Sequence, residues 1–191
     1  MNKAGNENRS VRNTKRRLRE ALLHLMSLKP INEITAKELT ELADVNRGTF
    51  YFHYDDIYHL LHSMEDEFFE QFNDVLNNVL FPSEDVLSYL TAIFSFIGIN
   101  SELCEVMLGT NGDIQFVNRV KQLVGDKCAS FWCSKVPDAP KAKIELFNAF
   151  IISGCAGVVS TWLSGGMKEK PEVISQLVFN VVINSVERCI R

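Results

Sequence analysis

Apolar residues recur at helical spacing along almost the whole chain, and this pattern restricts the possible fold more than any other feature. The first clear stripe has the i, i+3, i+4, i+7, i+8 spacing of an amphipathic helix and ends near Pro30. It consists of Leu18, Ala21, Leu22, Leu25 and Met26. The alternation of apolar and polar residues that indicates strands is not convincing anywhere. The sequence therefore predicts an all-α protein.

Two short helices are predicted after the first. Thr35 followed three residues later by Glu38 has the spacing of a capping box, which marks the start of a helix. The buried side of this second helix is predicted to be Leu39, Leu42 and Ala43. A third short helix is expected over residues 47–53.

Longer helices are predicted over the rest of the chain. Asp55 or Asp56 can cap a fourth helix, which buries apolar residues at helical spacing. These inward residues are predicted to be Ile57, Leu60, Leu61, Met64, Phe68, Phe72, Val75 and Val79. Further helices are expected at about residues 84–97, 102–108, 113–132, 141–163 and 171–190.

Charge is distributed unevenly between the two parts of the chain. Residues 1–54 hold ten Lys and Arg against six Asp and Glu, whereas residues 55–191 hold ten against eighteen. The net charge is therefore +4 for the first part and −8 for the second. A basic head on an acidic body is typical of a nucleic-acid-binding module joined to another domain. A solvated basic tail would give the same count, so both interpretations stay open.

Other classes of protein find little support in the sequence. The N-terminus lacks the apolar run of a secretory signal, so we expect a cytoplasmic protein. The scattered Cys104, Cys128, Cys133, Cys155 and Cys189 indicate small buried residues rather than a disulfide or zinc framework. The alternative is a redox role for Cys128 and Cys133, which lie five apart on one predicted helix. The chain shows no enzymatic constellation of nucleophile and base. We predict no enzymatic activity, metal or cofactor.

One pair of histidines has a spacing that metal ligands can use. His59 and His62 lie three residues apart on a predicted helix and could share a face, as metal ligands do, but no further ligand stands nearby in the sequence. A solvated helix face is the simpler interpretation.

The second and third helices, joined by a short turn, have the layout of a helix-turn-helix. Val45 can fill the angle between them, and Gly48 lets the third helix approach DNA closely. Arg47 suits bidentate contact with guanine in the major groove. Donors able to reach phosphates follow at Thr49, Tyr51 and His53, while Phe50 and Tyr54 suit inward packing. The alternative is that "TFYFHY" only anchors the third helix to the fourth.

Residues 12–64, above all "ITAKELTELADVNRGTFYFHYDDIYHLL", resemble the DNA-binding domain of the TetR family of bacterial transcriptional regulators. The family pattern is a helix-turn-helix ending in T-x-Y-x-H-F with a lysine shortly after. The resemblance implies that Thr35 lies at the phosphate backbone, that Arg47 and Gly48 face bases, and that Thr49 and His53 clamp phosphates. The candidate DNA-binding residues are Thr35, Lys37, Asn46, Arg47, Gly48, Thr49, Tyr51 and His53. The wording "HYDDIYHLL" is similar to a subgroup labelled as dihydroxyacetone kinase regulators.

The sequence departs from the family pattern at the start of the fourth helix. Ile57 stands where the family has a lysine, and Asp55 and Asp56 precede it, so a phosphate contact is missing there. Basic residues that precede or open the first helix could offset this loss along phosphates or in the minor groove. They are Arg9, Arg12, Lys15, Arg16, Arg17 and Arg19. For residues 1–10 a disordered solvated tail is the alternative.

An uncharged segment of twenty-one residues, Leu146 to Gly166, dominates the second part of the chain. Its length would admit a membrane span, but polar residues and glycines dilute it, and we expect no membrane association. A helix apolar on nearly all sides can pack on its own core and on a second protein. With the last helix it predicts a four-helix homodimer interface, as the family also uses. The predicted interface residues are Phe150, Ser153, Gly154, Gly157, Thr161, Ile174, Val178, Val181 and Val182.

The resemblance also implies a pocket for a small molecule among the middle helices. Its candidate lining is Phe94, Met107, Phe116, Phe131, Phe147 and Phe150, although for each of these residues taken singly an ordinary core position is the simpler interpretation. The lack of charges in this set favours a hydrophobic effector.

The sequence thus predicts a basic arm and helix-turn-helix DNA-binding domain at 1–54 and a larger helical regulatory and dimerisation domain at 55–191. The expected function is a transcriptional repressor that binds a palindromic operator in double-stranded DNA as a homodimer and is released by a small hydrophobic effector. The alternative is a helix-turn-helix regulator that acts through a protein partner without any small-molecule ligand.

Overall fold

The structure is a computed structural model that describes residues 9–78 and 85–190 of the chain. Over these residues it forms α-helices joined by short turns and contains no strand. The helices are α1 (Arg9–Leu28), α2 (Ala36–Leu42), α3 (Arg47–His53), α4 (Ile57–Asn78), α5 (Val86–Ile99), α6 (Ser101–Leu108), α7 (Ile114–Lys135), α8 (Lys141–Ser164) and α9 (Pro171–Ile190). A 3-10 turn, Ile31–Glu33, follows α1. The predicted all-α class is confirmed.

The helix boundaries follow the capping residues that the sequence offers. α3 has the predicted bounds, and α2 begins directly after its Thr35 cap. α5 begins after Asp85, whose side chain accepts a hydrogen bond from the Ser88 N–H at 2.9 Å. α8 ends at a glycine pair, and Gly166 there has a φ of 77°, a left-handed conformation that glycine adopts without strain.

The first compact unit runs from α1 to Phe68 and includes Gly109–Gly112. Its core is apolar: Leu18 and Leu22 of α1, Leu39 of α2, Phe50 of α3 and Leu60 of α4 are all fully buried. Asn111 attaches the outlying segment, because its Nδ2 donates a hydrogen bond to the Met26 carbonyl at 3.3 Å. Because Phe68 lies within α4, the boundary of the first unit falls inside this helix. It lies beyond residue 54, where the helix-turn-helix ends.

Two predicted core positions differ from the structure. Leu42, predicted to be inward, is exposed at the C-terminal end of α2, where the chain turns toward α3. On α4, Val75 is only half-buried and Leu76 is fully buried, so the inward stripe passes one position later. Both sites lie near a helix end, where spacing alone does not say which neighbour covers the last turn. Val79 lies outside the described residues.

The second compact unit contains Phe69–Leu108 and the chain from Asp113 onward. Within it α5 packs on α9, and α7 packs on α8. Aromatic side chains fill the spaces between these helices. Phe72 stacks on Phe96 with ring centroids 5.2 Å apart, and Trp132 meets Phe147 edge to face at 5.5 Å. This unit therefore has its own hydrophobic core.

α8 is apolar on more than one side. By length and composition it could cross a membrane, and less than a quarter of its most apolar stretch is buried. Ile144, Phe147 and Ile151 point into the core, whereas Leu146 and Phe150 are 73% and 67% exposed. The helix thus carries a buried apolar face and a second, uncovered one.

Candidate nucleic-acid interface

The start of α2 is held by the predicted capping box. The Thr35 hydroxyl accepts a hydrogen bond from the Glu38 N–H at 3.2 Å, and the Glu38 carboxylate accepts one from the Thr35 N–H at 3.0 Å. Lys29 adds a third contact, since its Nζ donates to Glu38 Oε1 at 2.7 Å. This hydrogen bond from Lys29, followed by those from Thr35, lowers the pKa of Glu38 from 4.5 to about 2. Thr35 and Lys37 both remain exposed at this helix start.

The turn between α2 and α3 depends on one residue in a left-handed conformation. Asp44 has a φ of 48°, which Asp tolerates better than most residues other than glycine. Its carboxylate accepts a hydrogen bond from Arg17 of α1 at 2.6 Å. Val45 follows half-buried, and its N–H donates to the Thr40 carbonyl at 3.0 Å. These contacts fix the direction in which α3 leaves the turn.

Asn46 caps α3 and shapes its first turn. Its Oδ1 accepts a hydrogen bond from the Gly48 N–H at 2.7 Å, which satisfies an amide that has no partner within the helix. A Cβ on Gly48 would lie 3.1 Å from that same Oδ1, so a side chain there would crowd the cap. The glycine therefore serves the cap as well as leaving this side of α3 open.

The side chains of α3 divide into a packing face and an open face. Phe50 is fully buried, and Tyr54 directly after the helix is also buried. Arg47 and Gly48 are exposed, and one turn later Tyr51 and Phe52 are 51% and 82% exposed. Side chains four residues apart lie on the same side of a helix, so these four positions form one continuous surface. We call Arg47, Gly48, Tyr51 and Phe52 the open face of α3.

Thr49 and His53 lie at the border between the two faces, and both are half-buried. The His53 ring is held between its neighbours, 5.0 Å from the Phe52 ring and 6.3 Å from the Tyr54 ring by centroid distance. Sequence reasoning placed Thr49, Tyr51 and His53 together as phosphate donors. The structure puts Tyr51 on the open face and the other two at its edge.

The residues that depart from the family pattern have other roles at the start of α4. Ile57, which replaces the usual lysine, is buried and belongs to the core. Asp56 caps the helix, because its Oδ1 accepts a hydrogen bond from the His59 N–H at 2.7 Å. The His59 Nδ1 in turn accepts the Asp55 N–H at 3.1 Å. These acids are engaged in forming the helix start, and no cation replaces the missing lysine among these residues.

The basic arm proves to be helical where it is described, since α1 already begins at Arg9. Several of its cations are engaged within the chain. Arg16 pairs with Glu20 at 2.6 Å, Arg17 with Asp44 at 2.6 Å, and Arg19 with Glu67. Arg9 and Arg12 are exposed on the first turns. The alternative of a solvated tail concerned residues 1–10, and residues 1–8 lie outside the described part.

Most of the predicted ligand-binding residues lie in the core of the second unit. Phe94, Met107, Phe116, Phe131 and Phe147 are buried in the second unit, whereas Phe150 is exposed. An apolar cavity of about 40 Å³ lies elsewhere in that core, and of the predicted set only Phe131 lines it. Tyr89, Trp132, Ile151 and Val178 are among its other walls. The walls of this cavity come from four helices, α5, α7, α8 and α9.

The predicted dimer residues fall into two groups. Phe150, Ser153, Gly154, Gly157, Thr161 and Val181 are exposed, while Ile174, Val178 and Val182 are buried in the chain's own core. Among the described residues of α9, Val173 and Leu177 are exposed apolar side chains in addition to the predicted Val181. An open groove of about 610 Å³ runs between α8 and α9 beside Gly154, Gly157 and Leu177. The two helices thus present an uncovered apolar surface.

Metal and redox sites find no support in the part of the chain described. No group of three or more His, Cys, Asp and Glu side chains in it could hold a metal ion. His62 lies 3.3 Å from the Glu65 carboxylate. Burial raises the pKa of the Cys104 and Cys128 thiols to about 12 and that of Cys155 to about 11, which keeps them protonated. Cys133 is exposed.

Several solved structures share the fold of this chain. A TetR-like regulator from a Rhodococcus species aligns with a TM-score of 0.68 at 15% identity, over 95% of this chain and 99% of that one. A TetR regulator from Streptococcus agalactiae aligns at 0.61 and 20% identity, over 91% and 96%. The dihydroxyacetone kinase operon activator DhaS aligns at 0.59 and 14%, over 93% and 98%. At such identities these likenesses show the fold.

The family itself is shown by the sequence of the second unit. No curated protein matches the chain. Residues 84–184, more than half of the chain, match the C-terminal region of TetR-type transcriptional regulators. The N-terminal helix-turn-helix of the described structure agrees with this assignment, as do the TetR regulators that share the fold. The chain belongs to the TetR family of transcriptional regulators.

Proposed function

We propose that the protein is a cytoplasmic transcriptional repressor that binds a palindromic operator as a homodimer. The observation that carries this proposal is the open face of α3. Arg47, Gly48 and Tyr51 are presented together on a short helix that contains no acidic residue and that is fixed by caps at its own start and at the starts of α2 and α4. Such a helix fits the major groove of B-DNA.

The residues of the interface take different roles. Arg47 donates to base edges, for which its two-pronged guanidinium suits the O6 and N7 atoms of guanine. Thr35, Lys37, Thr49 and His53 contact phosphates at the edges of the groove, which fixes the position of α3 without reading sequence. Asn46 contributes through its amide nitrogen, since its Oδ1 already caps the helix. Arg9 and Arg12 extend the cationic surface along α1.

Homodimer formation is proposed through α8 and α9. Leu146, Phe150, Leu177 and Val181 are exposed apolar side chains on these helices, and Gly154 and Gly157 allow backbones to approach closely. Two copies related by a twofold axis would cover these surfaces as a four-helix bundle. Because an isologous dimer presents two copies of α3, the operator is expected to repeat at about 34–36 Å or a multiple.

The effector is proposed to be a small hydrophobic molecule bound in the second unit. The core there is almost wholly apolar, and the walls of its cavity are aromatic and aliphatic. The volume of this cavity, about 40 Å³, is far below the roughly 300–1,000 Å³ of usual ligand sites, so binding within it would require its walls on α5, α7, α8 and α9 to separate. A ligand that favours this separated state would shift the population away from the DNA-bound form.

The second candidate function is regulation through a protein partner without a small-molecule effector. The small size of the described cavity favours it. In this case the same helix-turn-helix would bind DNA. The uncovered surface of the second unit would then bind the partner.

Selection of bound fragments from genomic DNA tests the proposal. The purified full chain should enrich near-palindromic duplexes and bind them with two chains per duplex. Affinity should fall steeply as salt rises, because phosphate contacts release condensed counterions. Binding without sequence enrichment, or with no dependence on salt, would contradict the proposal. Release of the duplex by hydrophobic compounds, compared with release by a protein partner, separates the two candidate functions.

A further inference from the structure

Phe52 is an apolar side chain in an unusual place. It is 82% exposed on the open face of α3, whereas Phe50, two positions earlier, is fully buried. The one ring contact described for it is with the neighbouring His53, at a centroid distance of 5.0 Å and an interplanar angle of 78°. The Phe52 ring therefore contributes little to the core of its unit and stays available to a partner.

The surroundings of Phe52 define what that partner can be. Gly48 lies one helical turn before it and carries no side chain, so the ring is not screened on that side. Arg47 is exposed on the same helix, Lys37 is exposed on α2, and α3 contains no acid. A polyanion fits these two cations, and the exposed ring near the end of α3 suits an apolar group on that polyanion.

We infer that Phe52 is a specificity-determining residue that contacts the C5-methyl group of a pyrimidine, ordinarily thymine, in the major groove. The inference rests on the proposed DNA binding. The thymine methyl is the apolar group that base edges present in this groove, and phenylalanine is a side chain suited to contact it. Cytosine offers an amino donor instead, which a phenyl ring cannot pair with. Phe52 thereby adds a preference for thymine to the guanine contact of Arg47.

Replacement of single thymines by deoxyuridine tests this contact, because the change removes only the methyl group. On a duplex selected by the wild-type protein, one dT-to-dU replacement in a single half-site should weaken binding by about fourfold, as expected for one buried methyl-sized group. In Phe52→Ala the same replacement should have no effect. Phe52→Leu keeps an apolar contact and should keep the sensitivity. Equal melting temperatures of the three proteins would show that each is folded.

A second arm separates the methyl group from the base that carries it. At the sensitive position a C·G pair should bind poorly, and 5-methylcytosine in that pair should recover affinity with wild type but not with Phe52→Ala. The inference is overturned if the uridine effect persists in Phe52→Ala, or if no replacement affects wild type. Failure of the wild-type chain to bind any duplex would overturn the proposed function itself.

Discussion

Thr35 and Glu38 form reciprocal hydrogen bonds at the start of α2. The Thr35 hydroxyl accepts a hydrogen bond from the Glu38 N–H at 3.2 Å, and the Glu38 carboxylate accepts one from the Thr35 N–H at 3.0 Å. Lys29 binds the same carboxylate at 2.7 Å. The start of the helix-turn-helix therefore depends on a group that loses its charge in acid. Its ionisation is coupled to folding, since the contacts exist in the folded state alone.

Glu38→Gln should make the protein less stable at neutral pH, and this difference should shrink in acid. The Glu38 pKa is lowered from 4.5 to about 2 in the folded chain, so the unfolded chain binds a proton first as pH falls. The stabilisation is therefore complete above about pH 5 and is lost between pH 4.5 and about 2. The measurement is the difference in melting temperature between wild type and Glu38→Gln, followed from pH 7 to pH 3.

Glu33→Gln is the matched control for this experiment. Glu33 is an exposed acid on the neighbouring 3-10 turn, and its carboxylate accepts none of the described hydrogen bonds. Its substitution should leave melting nearly unchanged at each pH. A gap between wild type and Glu38→Gln that stays constant down to pH 3 would mean that the charge of Glu38 is not coupled to folding.

Truncation to alanine should change the free energy of unfolding far more at Phe50 than at Phe52, although only one residue separates them. Phe50→Ala removes a fully buried ring and should destabilise the first unit by about 3–5 kcal/mol. Phe52→Ala removes an exposed ring and should change stability by no more than about 0.5 kcal/mol. Denaturant unfolding followed by circular dichroism compares the two variants. Equal losses would show that α3 is rotated relative to the described structure.

Leu177→Asp should convert the proposed homodimer into a monomer. Leu177 is half-exposed on α9 beside the groove, and a charge placed there would be buried without a partner in the dimer. Sedimentation equilibrium should give half the wild-type mass. Ile99→Asp, at an exposed position on α5 that does not line the groove, should leave the mass unchanged. A wild-type mass for Leu177→Asp would exclude this face as the interface.

Cys133 should react with thiol reagents well before Cys104, Cys128 and Cys155. Burial raises the pKa values of those three thiols to about 11 or 12, so almost none of each is thiolate at pH 8, whereas Cys133 is exposed. Brief alkylation followed by peptide mass spectrometry gives the order. Rapid labelling of Cys128 or Cys155 would revive the redox alternative.

The helix-turn-helix could be predicted closely because its signals are local. The Thr35–Glu38 spacing and the apolar positions of α1 define helix starts and faces without reference to distant residues, and α3 has the bounds expected from sequence. Phe50 and Tyr54 were assigned to the packing side and are buried. The exposure of Phe52 could not be read from a run of aromatic residues, since each of them suits either face.

The second unit was harder to predict because α8 and α9 are apolar on two faces. Periodicity identifies an apolar position but not which of two apolar neighbours covers it. Ile174, Val178 and Val182 consequently looked like interface residues and are core, whereas Val173 and Leu177 face outward. Phe150 was assigned to both a pocket and an interface, and its exposure agrees only with a surface role. The cavity depends on four helices, which no local pattern relates.

DNA recognition by α3 is tested most directly by a ratio of two affinities, one for a selected duplex and one for a scrambled duplex. The ratio is measured for wild type, Arg47→Ala and His53→Ala. Arg47→Ala should lower this ratio roughly fivefold or more, because a base contact is lost. This factor corresponds to a loss of about 1–3 kcal/mol of discrimination between the two duplexes. His53→Ala should weaken binding to both duplexes alike and leave the ratio unchanged. An unchanged ratio and unchanged affinity in both variants would contradict the assignment of α3 as the recognition helix.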